Sequence, residues 1–121
     1  MNIEKWGPSS WVYLHTLTFN YPDEPTNKTK QIYKRYFTLT GDILPCKFCR
    51  KSYKQFLKEL PIEPALESRK KLTKWFYDIH NKVNSKLRKQ GQDKERVSFN
   101  EVCKHYESYR ATCSSIKNTC K

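Results

Sequence analysis

The chain has 121 residues, of which 24 are Lys or Arg and 12 are Asp or Glu, so its formal net charge is +12. Aromatic residues make up 14% of the chain, which argues against disorder because charge-rich disordered sequences are poor in aromatics. The apolar runs are too short for a membrane-spanning helix, and the N-terminal residues lack the pattern of a signal peptide, so we expect neither. Length and composition together predict a single, basic, helical domain over 1–121.

The positive charge alone permits binding to nucleic acid or to a membrane surface. The basic residues are scattered along the whole chain instead of forming one tract, which is typical of a solvated surface. We therefore expect neither nucleic acid nor a membrane as a partner, and a basic nucleic-acid-binding domain remains a runner-up.

Two helices are predicted before residue 45. Pro8 suits the first turn of a helix that ends near 21–22, and Trp11, Leu14 and His15 have the spacing of one helix face. A second helix is predicted from about 27 to about 41. Its inner face is predicted to carry three apolar side chains: Ile32, Tyr36 and Leu39.

Three further helices follow. One opens near Cys46 and is predicted to bury Tyr53, Phe56, Leu57 and Leu60 before two prolines interrupt it. Ser68 caps a fourth helix that continues to about Lys89. Ser98 and Glu101 form a capping box that opens a short fifth helix. One side of this fifth helix carries Phe99, Val102, Cys103 and Tyr106, and a polar, Cys-containing tail begins at about 112.

Cys46 and Cys49 form a Cys-x-x-Cys motif at the predicted start of the third helix. Two chemistries use this spacing, a redox-active pair and half of a zinc site. The zinc interpretation adds Cys103 and His105 to give a Cys₃His module, but only one residue separates these two, so on a helix they point to different faces. For the redox interpretation, a helix N-terminus stabilises the nucleophilic thiolate.

Four segments, in order, resemble the Erv/ALR family of flavin-linked sulfhydryl oxidases. Residues 6–16 read W-G-P-S-S-W-V-Y-L-H-T, and Tyr21-Pro22 closes that helix. Residues 45–49 read P-C-K-F-C, with Phe56 seven residues after the second cysteine. Residues 75–87 read W-F-Y-D-I-H-N-K-V-N-S-K-L, similar to the W-x-x-x-x-H-N-x-V-N-x-x-L of the family.

The resemblance implies an all-α fold, a four-helix bundle with a short fifth helix, which holds FAD at one end. It also implies that electrons pass from protein dithiol or thioredoxin-like substrates to the Cys46–Cys49 disulfide, then to FAD and to molecular oxygen, giving hydrogen peroxide. Cys46 is then the outer cysteine and Cys49 the flavin-proximal one. Because Lys47 and Arg50 lie nearby at a helix start, we expect the Cys49 pKa to lie below the free-cysteine value of about 8.5.

The resemblance also implies the residues that hold FAD. His80 and Asn84 share a helix face, Lys86 and Lys89 suit the pyrophosphate, and Tyr106 corresponds to an aromatic residue against the adenine. The full predicted set is Trp6, Gly7, Pro8, Ser9, Ser10, Trp11, His15, Cys49, Trp75, His80, Asn81, Val83, Asn84, Lys86, Leu87, Lys89 and Tyr106.

Three further features are expected by analogy with the family. Cys103 and Cys120 have the spacing of a tail disulfide, whereas Cys113 with Cys120 could form a shuttle pair, and the sequence leaves both pairings open. A homodimer through the first two helices is expected, with an aromatic interface formed by Tyr13, Tyr33 and Phe37. The expected location is the host cytoplasm or virion of a large DNA virus, with the mitochondrial intermembrane space as the alternative.

Overall fold

The structure is a computed structural model that describes residues 1–110, and within them it is built from helices without a β-strand. The five α-helices are α1 Ile3–Phe19, α2 Asn27–Ile43, α3 Lys47–Glu59, α4 Arg69–Lys89 and α5 Phe99–Glu107. A 3₁₀ helix, Glu63–Glu67, lies between α3 and α4. None of these helices is both long and apolar enough to cross a membrane. The predicted tail, with Cys113 and Cys120, lies outside the described residues.

Each α-helix begins where a polar side chain caps it. The side chains of Asn2, Thr26, Cys46, Ser68 and Ser98 each accept a hydrogen bond from a backbone N–H of the first turn. Such caps satisfy N–H groups that have no partner inside the helix. The predicted starts of α2, α3, α4 and α5 are therefore confirmed to within a residue.

Two boundaries differ from the prediction. Pro8 was expected in the first turn of α1, but Asn2 caps the helix and Pro8 lies inside it, in the second turn. Pro64 and its neighbours form the 3₁₀ helix, which the sequence analysis treated only as an interruption. Pro8 does not mark the start of α1, because the Asn2 cap precedes it, whereas Pro64 lies in the first turn of the 3₁₀ helix.

The predicted inner face of α2 is wrong. Ile32, Tyr36 and Leu39 are exposed, whereas Phe37 is fully buried. Helix α2 has two apolar faces, and the face carrying Phe37, Thr40 and Gly41 is the one that packs inward. Apolar spacing alone does not distinguish these two faces. The neighbouring helix decides between them, because α3 presses the Tyr53 ring against Gly41.

Helix α4 is the central element of the bundle. It packs against α1, α3 and the 3₁₀ helix, while α2 packs on α3 and α5 packs on α1. The polar ends of three buried aromatic side chains donate hydrogen bonds to backbone carbonyls: Tyr21 to Leu66 at 2.8 Å, Tyr53 to Phe37 at 2.6 Å, and Trp75 to Leu60 at 2.7 Å. These bonds give partners to three polar atoms that burial in the aromatic core would otherwise leave unpaired.

The close approach of α2 and α3 predicts that Gly41→Ala destabilises the fold. A Cβ at position 41 would lie 2.9 Å from Cδ1 of Tyr53, whose ring is buried and held by its hydroxyl. We expect the free energy of unfolding to fall by about 1–3 kcal/mol, the usual cost of overpacking, measured by thermal or urea unfolding followed by circular dichroism.

Gly7→Ala is the matched control, since Gly7 is also helical. Its Cβ would meet only Ile3, at an ordinary contact distance of 3.4 Å. Alanine is also the better helix former, so this variant should be as stable as the parent chain or up to about 1 kcal/mol more stable. Equal losses in both variants would contradict the close packing of α2 on α3.

Candidate active site

Both cysteines of the Cys-x-x-Cys motif lie at the first turn of α3. Cys46 is the N-cap residue, and its Sγ accepts a hydrogen bond from the Cys49 backbone N–H at 3.2 Å. The Arg50 guanidinium donates to the Leu44 carbonyl, which holds the segment that leads into the helix. Both thiols are free and half-buried. The two sulfurs therefore share one helical turn, as disulfide exchange within a pair requires.

The two thiols differ in acidity. Hydrogen bonds from the Cys49 thiol, and from backbone N–H groups of the first turn, lower the pKa of Cys46. Burial raises the pKa of Cys49 to about 11, and the neighbouring Cys46 adds to this shift. The expectation that the Cys49 pKa lies below about 8.5 is therefore wrong for the chain alone. The helix-dipole argument omitted desolvation, which here outweighs the opposing effect of the Lys86 charge.

A second cluster joins rings from α1, α4 and α5. His15 Nε2 and His80 Nδ1 lie 2.9 Å apart and share a hydrogen bond. The Trp11 ring stacks on His80 with 3.7 Å between centroids and 9° between planes. Tyr106 stacks on His15 with 5.1 Å between centroids. Four of the predicted cofactor residues thus meet in one place, although they come from three helices.

Both histidines of this ring cluster are neutral near pH 7. Burial, and then the neighbouring His80, lower the His15 pKa to about 3. Burial, and then the Lys94 charge, lower the His80 pKa to about 4. One ring therefore donates its N–H to the other, and the cluster presents stacked, uncharged rings.

Two buried polar atoms of α1 have no hydrogen-bond partner among residues 1–110. They are Nε1 of Trp6 and Nδ1 of His15, both on predicted cofactor residues. Nearly all buried polar groups in folded proteins are hydrogen-bonded, so an unpaired indole N–H and an unpaired imidazole nitrogen require an explanation. Together with the stacked rings, these atoms fit a planar heteroaromatic cofactor with hydrogen-bonding groups at its edge.

The remaining predicted cofactor residues include buried, half-buried and exposed side chains. Gly7 is buried, and Ser10 is half-buried with its hydroxyl donating to the Trp6 carbonyl at 2.8 Å. The half-buried members on α4 are Asn81, Val83, Asn84 and Leu87, and the exposed members are Pro8, Ser9, Lys86 and Lys89. Lys86 Nζ donates to the Ser52 hydroxyl of α3, so it links α4 to the cysteine-bearing helix.

Trp75, another predicted cofactor residue, lies outside the ring cluster. Its ring is buried in the core, edge-on to Phe37, and its N–H is bonded to Leu60. The structure therefore does not bring Trp75 into the ring cluster. The next residue, Phe76, was missed as a site residue. It lies edge-on to His15 at 4.8 Å and tilted against Trp11 at 5.6 Å, so it supports the ring cluster from the core side.

The zinc alternative is not supported. Among residues 1–110, no three His, Cys, Asp or Glu side chains come together in a way that could hold a metal ion. Cys103 is half-buried on α5 and forms no disulfide with another cysteine of residues 1–110, and burial raises its pKa. Cys103 and His105 therefore do not complete a site with Cys46 and Cys49.

Comparison with known proteins identifies the class to which this fold and site belong. Residues 8–110 match the model of the Erv1 / Alr family, and the chain belongs to that family. It is 39% identical over 88 residues to the mitochondrial FAD-linked sulfhydryl oxidase ERV1 of Saccharomyces cerevisiae, which covers 73% of this chain and 46% of that protein. It is 39% identical over 85 residues to a probable FAD-linked sulfhydryl oxidase of Acanthamoeba polyphaga mimivirus, which covers 69% of this chain and 59% of that one.

Among solved structures, the fold is similar to the FAD-binding domain of Erv1 from Saccharomyces cerevisiae. The TM-score is 0.80 at 33% identity, over 92% of this chain and 99% of the other. The chain spans about half the length of the two curated relatives. The similarity thus covers the helical domain and both parts of the candidate site.

The acidity difference predicts which cysteine is alkylated first. With the pair reduced, iodoacetamide at neutral pH should modify Cys46 well before Cys49, because the Cys46 pKa is lowered and the Cys49 pKa is raised to about 11. Mass spectrometry of the digested protein measures the ratio. The Cys46→Ser and Cys49→Ser variants identify the two signals, and preferential modification of Cys49 would contradict the assignment.

Proposed function

We propose that the chain is an FAD-dependent thiol oxidase that forms disulfide bonds in protein substrates. The observation that carries this proposal is the position of Lys86. It is on α4 among the predicted cofactor residues, it donates to Ser52 on α3, and its charge reaches the Cys49 thiol. A cofactor held by α4 would therefore lie next to the dithiol, as electron transfer between them requires.

The thiol exchange follows from the two cysteines. A substrate thiolate attacks Cys46 Sγ of the oxidised pair, the Cys46–Cys49 bond breaks, and Cys49 Sγ takes the electron pair. The second substrate thiolate then attacks the substrate sulfur of the mixed disulfide, which gives the substrate disulfide and releases Cys46 as a thiolate. The lowered Cys46 pKa favours this second step, because a more acidic thiol leaves faster. Two electrons have then moved from the substrate to the pair.

Formation of the mixed disulfide also changes Cys49. While the Cys46 sulfur is bonded to the substrate, it carries no negative charge and accepts no hydrogen bond from the Cys49 thiol. Two of the three causes that raise the Cys49 pKa are then absent, and only burial remains. The Lys86 charge opposes that burial, so Cys49 reaches its thiolate form more readily at the stage when it must hold negative charge.

The ring cluster and the lysines supply the cofactor site. Trp11, His15, His80 and Tyr106 offer stacked rings, and the unpaired Trp6 N–H offers a hydrogen-bond donor. Lys86 and Lys89 are proposed to neutralise the pyrophosphate. When bound, FAD accepts two electrons from the reduced pair and passes them to molecular oxygen, giving hydrogen peroxide.

The proposal is tested by the visible spectrum of the purified chain and of its two cysteine variants. The parent chain should show the absorption band of an oxidised flavin and should consume oxygen with dithiothreitol as substrate. Cys46→Ser and Cys49→Ser should each lose turnover by at least about a hundredfold, since each lacks half of the dithiol. A colourless protein with stoichiometric zinc would refute the oxidase.

The spectra of the variants also distinguish the two roles. Cys46→Ser should develop a long-wavelength charge-transfer band as pH rises through the Cys49 pKa, because the thiolate remains and cannot form a disulfide. Burial raises this pKa, so the midpoint should lie above the free-cysteine value of about 8.5. Cys49→Ser should lack the band. A band present only in Cys49→Ser would reverse the assignment.

A homodimer through α1 and α2 is also proposed, with a surface different from the one predicted. Of the expected aromatic residues, Phe37 is fully buried and Tyr33 is packed on the core, so only Tyr13 remains available. The exposed apolar residues of α2 follow one face: Ile32, Tyr36, Leu39 and Ile43. Tyr13 of α1 is also exposed, and its side chain helps to raise the pKa of Tyr36, so the two phenols lie near each other and α1 adjoins this apolar face.

Leu39→Glu tests the dimer, because Leu39 lies mid-face and is 54% exposed. Burying an unpaired carboxylate should raise the dimer dissociation constant by about a hundredfold or more, measured by sedimentation equilibrium. Ile3→Glu is the matched control, because Ile3 is 42% exposed on α1 and lies outside this face. It should leave the dissociation constant unchanged. A parent chain that sediments only as a 14.6 kDa species at tens of micromolar would contradict the dimer.

If the source is viral, the proposed compartment is the host cytoplasm or the virion. The alternative is the mitochondrial intermembrane space. A mimivirus protein among the relatives supports the first, and a yeast relative named as mitochondrial supports the second. Fractionation of cells that express the chain distinguishes the two.

A further inference from the structure

A stripe of lysines runs along the outer face of α3. Lys47, Lys51, Lys54 and Lys58 follow the spacing i, i+4, i+7 and i+11, which places all four on one side of the helix, and all four are exposed. At 1.5 Å per residue the stripe is about 16 Å long. It begins at the residue after Cys46, so one end of it lies at the dithiol.

A groove of about 530 Å³ lies beside this lysine stripe. Phe48, Lys51, Lys54 and Lys58 line its α3 side. Lys86 of α4 lines the inner side and is assigned to the cofactor. Phe48, between the two cysteines, is 76% exposed, which is unusual for a large apolar side chain and leaves its ring available to a partner.

Little of the charge on the lysine stripe is neutralised within the chain. Lys54 pairs with Asp42 at 2.6 Å, but Lys47, Lys51 and Lys58 form no ion pair with any residue from 1 to 110. Like charges at i, i+4 on a helix destabilise it slightly. An uncompensated row of lysines that starts at the reactive cysteine therefore favours a ligand that brings negative charge to that cysteine.

We propose that this groove binds an acidic segment that flanks the reactive thiol of the protein substrate, with Phe48 contacting an apolar side chain next to that thiol. The inference rests on the proposed function, because it names the class of substrate that the dithiol oxidises. A 16 Å stripe matches about five residues of extended chain. Carboxylates along such a segment would meet the lysines while the substrate cysteine lies at Cys46.

The test uses two synthetic dithiol peptides that are identical except for their flanks, Glu in one and Gln in the other. At low salt the Glu peptide should be oxidised with a kcat/KM about tenfold higher, mainly through a lower KM, and high salt should remove most of this advantage. The same two peptides with Ser in place of Cys are bound but not oxidised. Fluorescence anisotropy then compares their dissociation constants without turnover. Dithiothreitol reports the basal activity.

Lys51→Gln with Lys58→Gln should reduce the Glu advantage to about twofold in both assays and leave dithiothreitol oxidation unchanged. Lys28→Gln with Lys71→Gln is the control, because it removes the same charge from exposed positions on other helices and should keep the advantage. Phe48→Ala should weaken both peptides equally, since the lost contact is apolar.

An equal loss in the two double variants would overturn the proposal, since the preference would then come from net charge alone. A single-stranded oligonucleotide that the lysine stripe binds in preference to the Glu peptide would overturn it in favour of nucleic acid. Failure to oxidise dithiothreitol would instead refute the proposed function, and the anisotropy comparison would still decide whether the groove prefers acidic segments.

Discussion

The burial of one face of α4 is the constraint on which the rest of the structure depends. Leu72, Phe76 and Ile79 are fully buried, and around them pack α1, α3 and the 3₁₀ helix. The helix has 21 residues, so it is a rod about 31 Å long. Its first half is held by the core, and its second half carries His80 and Lys86. The core packing of the first half therefore fixes where the second half meets the ring cluster of α1 and the thiols of α3.

Desolvation, more than net charge, determines the chemistry of the site. The chain carries a formal charge of +12, yet the two histidines of the ring cluster are neutral because burial penalises their charged forms. The same effect opposes ionisation of Cys49, while Cys46, at the helix start, is favoured as a thiolate. The two sulfurs of this turn therefore differ in acidity because Cys46 accepts hydrogen bonds from the Cys49 thiol and from backbone N–H groups, whereas Cys49 is desolvated by burial. This difference supports the proposed roles, with Cys46 as the cysteine that exchanges with substrate and Cys49 in the protected position.

Features that depend on local sequence were predictable, and features that depend on tertiary packing were not. The starts of α4 and α5 follow from Ser68 and Ser98, because a cap is a contact within a few residues. The buried face of α2 was mispredicted, because both of its faces are apolar and only the approach of Tyr53 to Gly41 selects one. The Cys49 pKa was mispredicted because it depends on burial by other helices.

The candidate site shows the same division. The resemblance to the Erv/ALR family identified Trp11, His15, His80 and Tyr106, and the fold brings these residues together. The same resemblance also selected Trp75, which the fold places in the core, and missed the adjacent Phe76, whose ring supports the cluster. Both rings are buried, but neighbours on a helix point about 100° apart, and it is the Phe76 ring that reaches Trp11 and His15. The sequence pattern does not resolve this one-residue difference.

The outward faces of α2 and α3 show how the fold separates two kinds of surface. Their exposed residues have the same spacing but opposite chemistry: Ile32, Tyr36, Leu39 and Ile43 on α2, and Lys47, Lys51, Lys54 and Lys58 on α3. Because α2 packs on α3 through Gly41 and Tyr53, both faces are left outside the core. An apolar face can pair with its own copy across a two-fold axis, whereas a row of lysines repels its copy. The two faces therefore suit different partners, and the proposed substrate site is the face that begins at the dithiol.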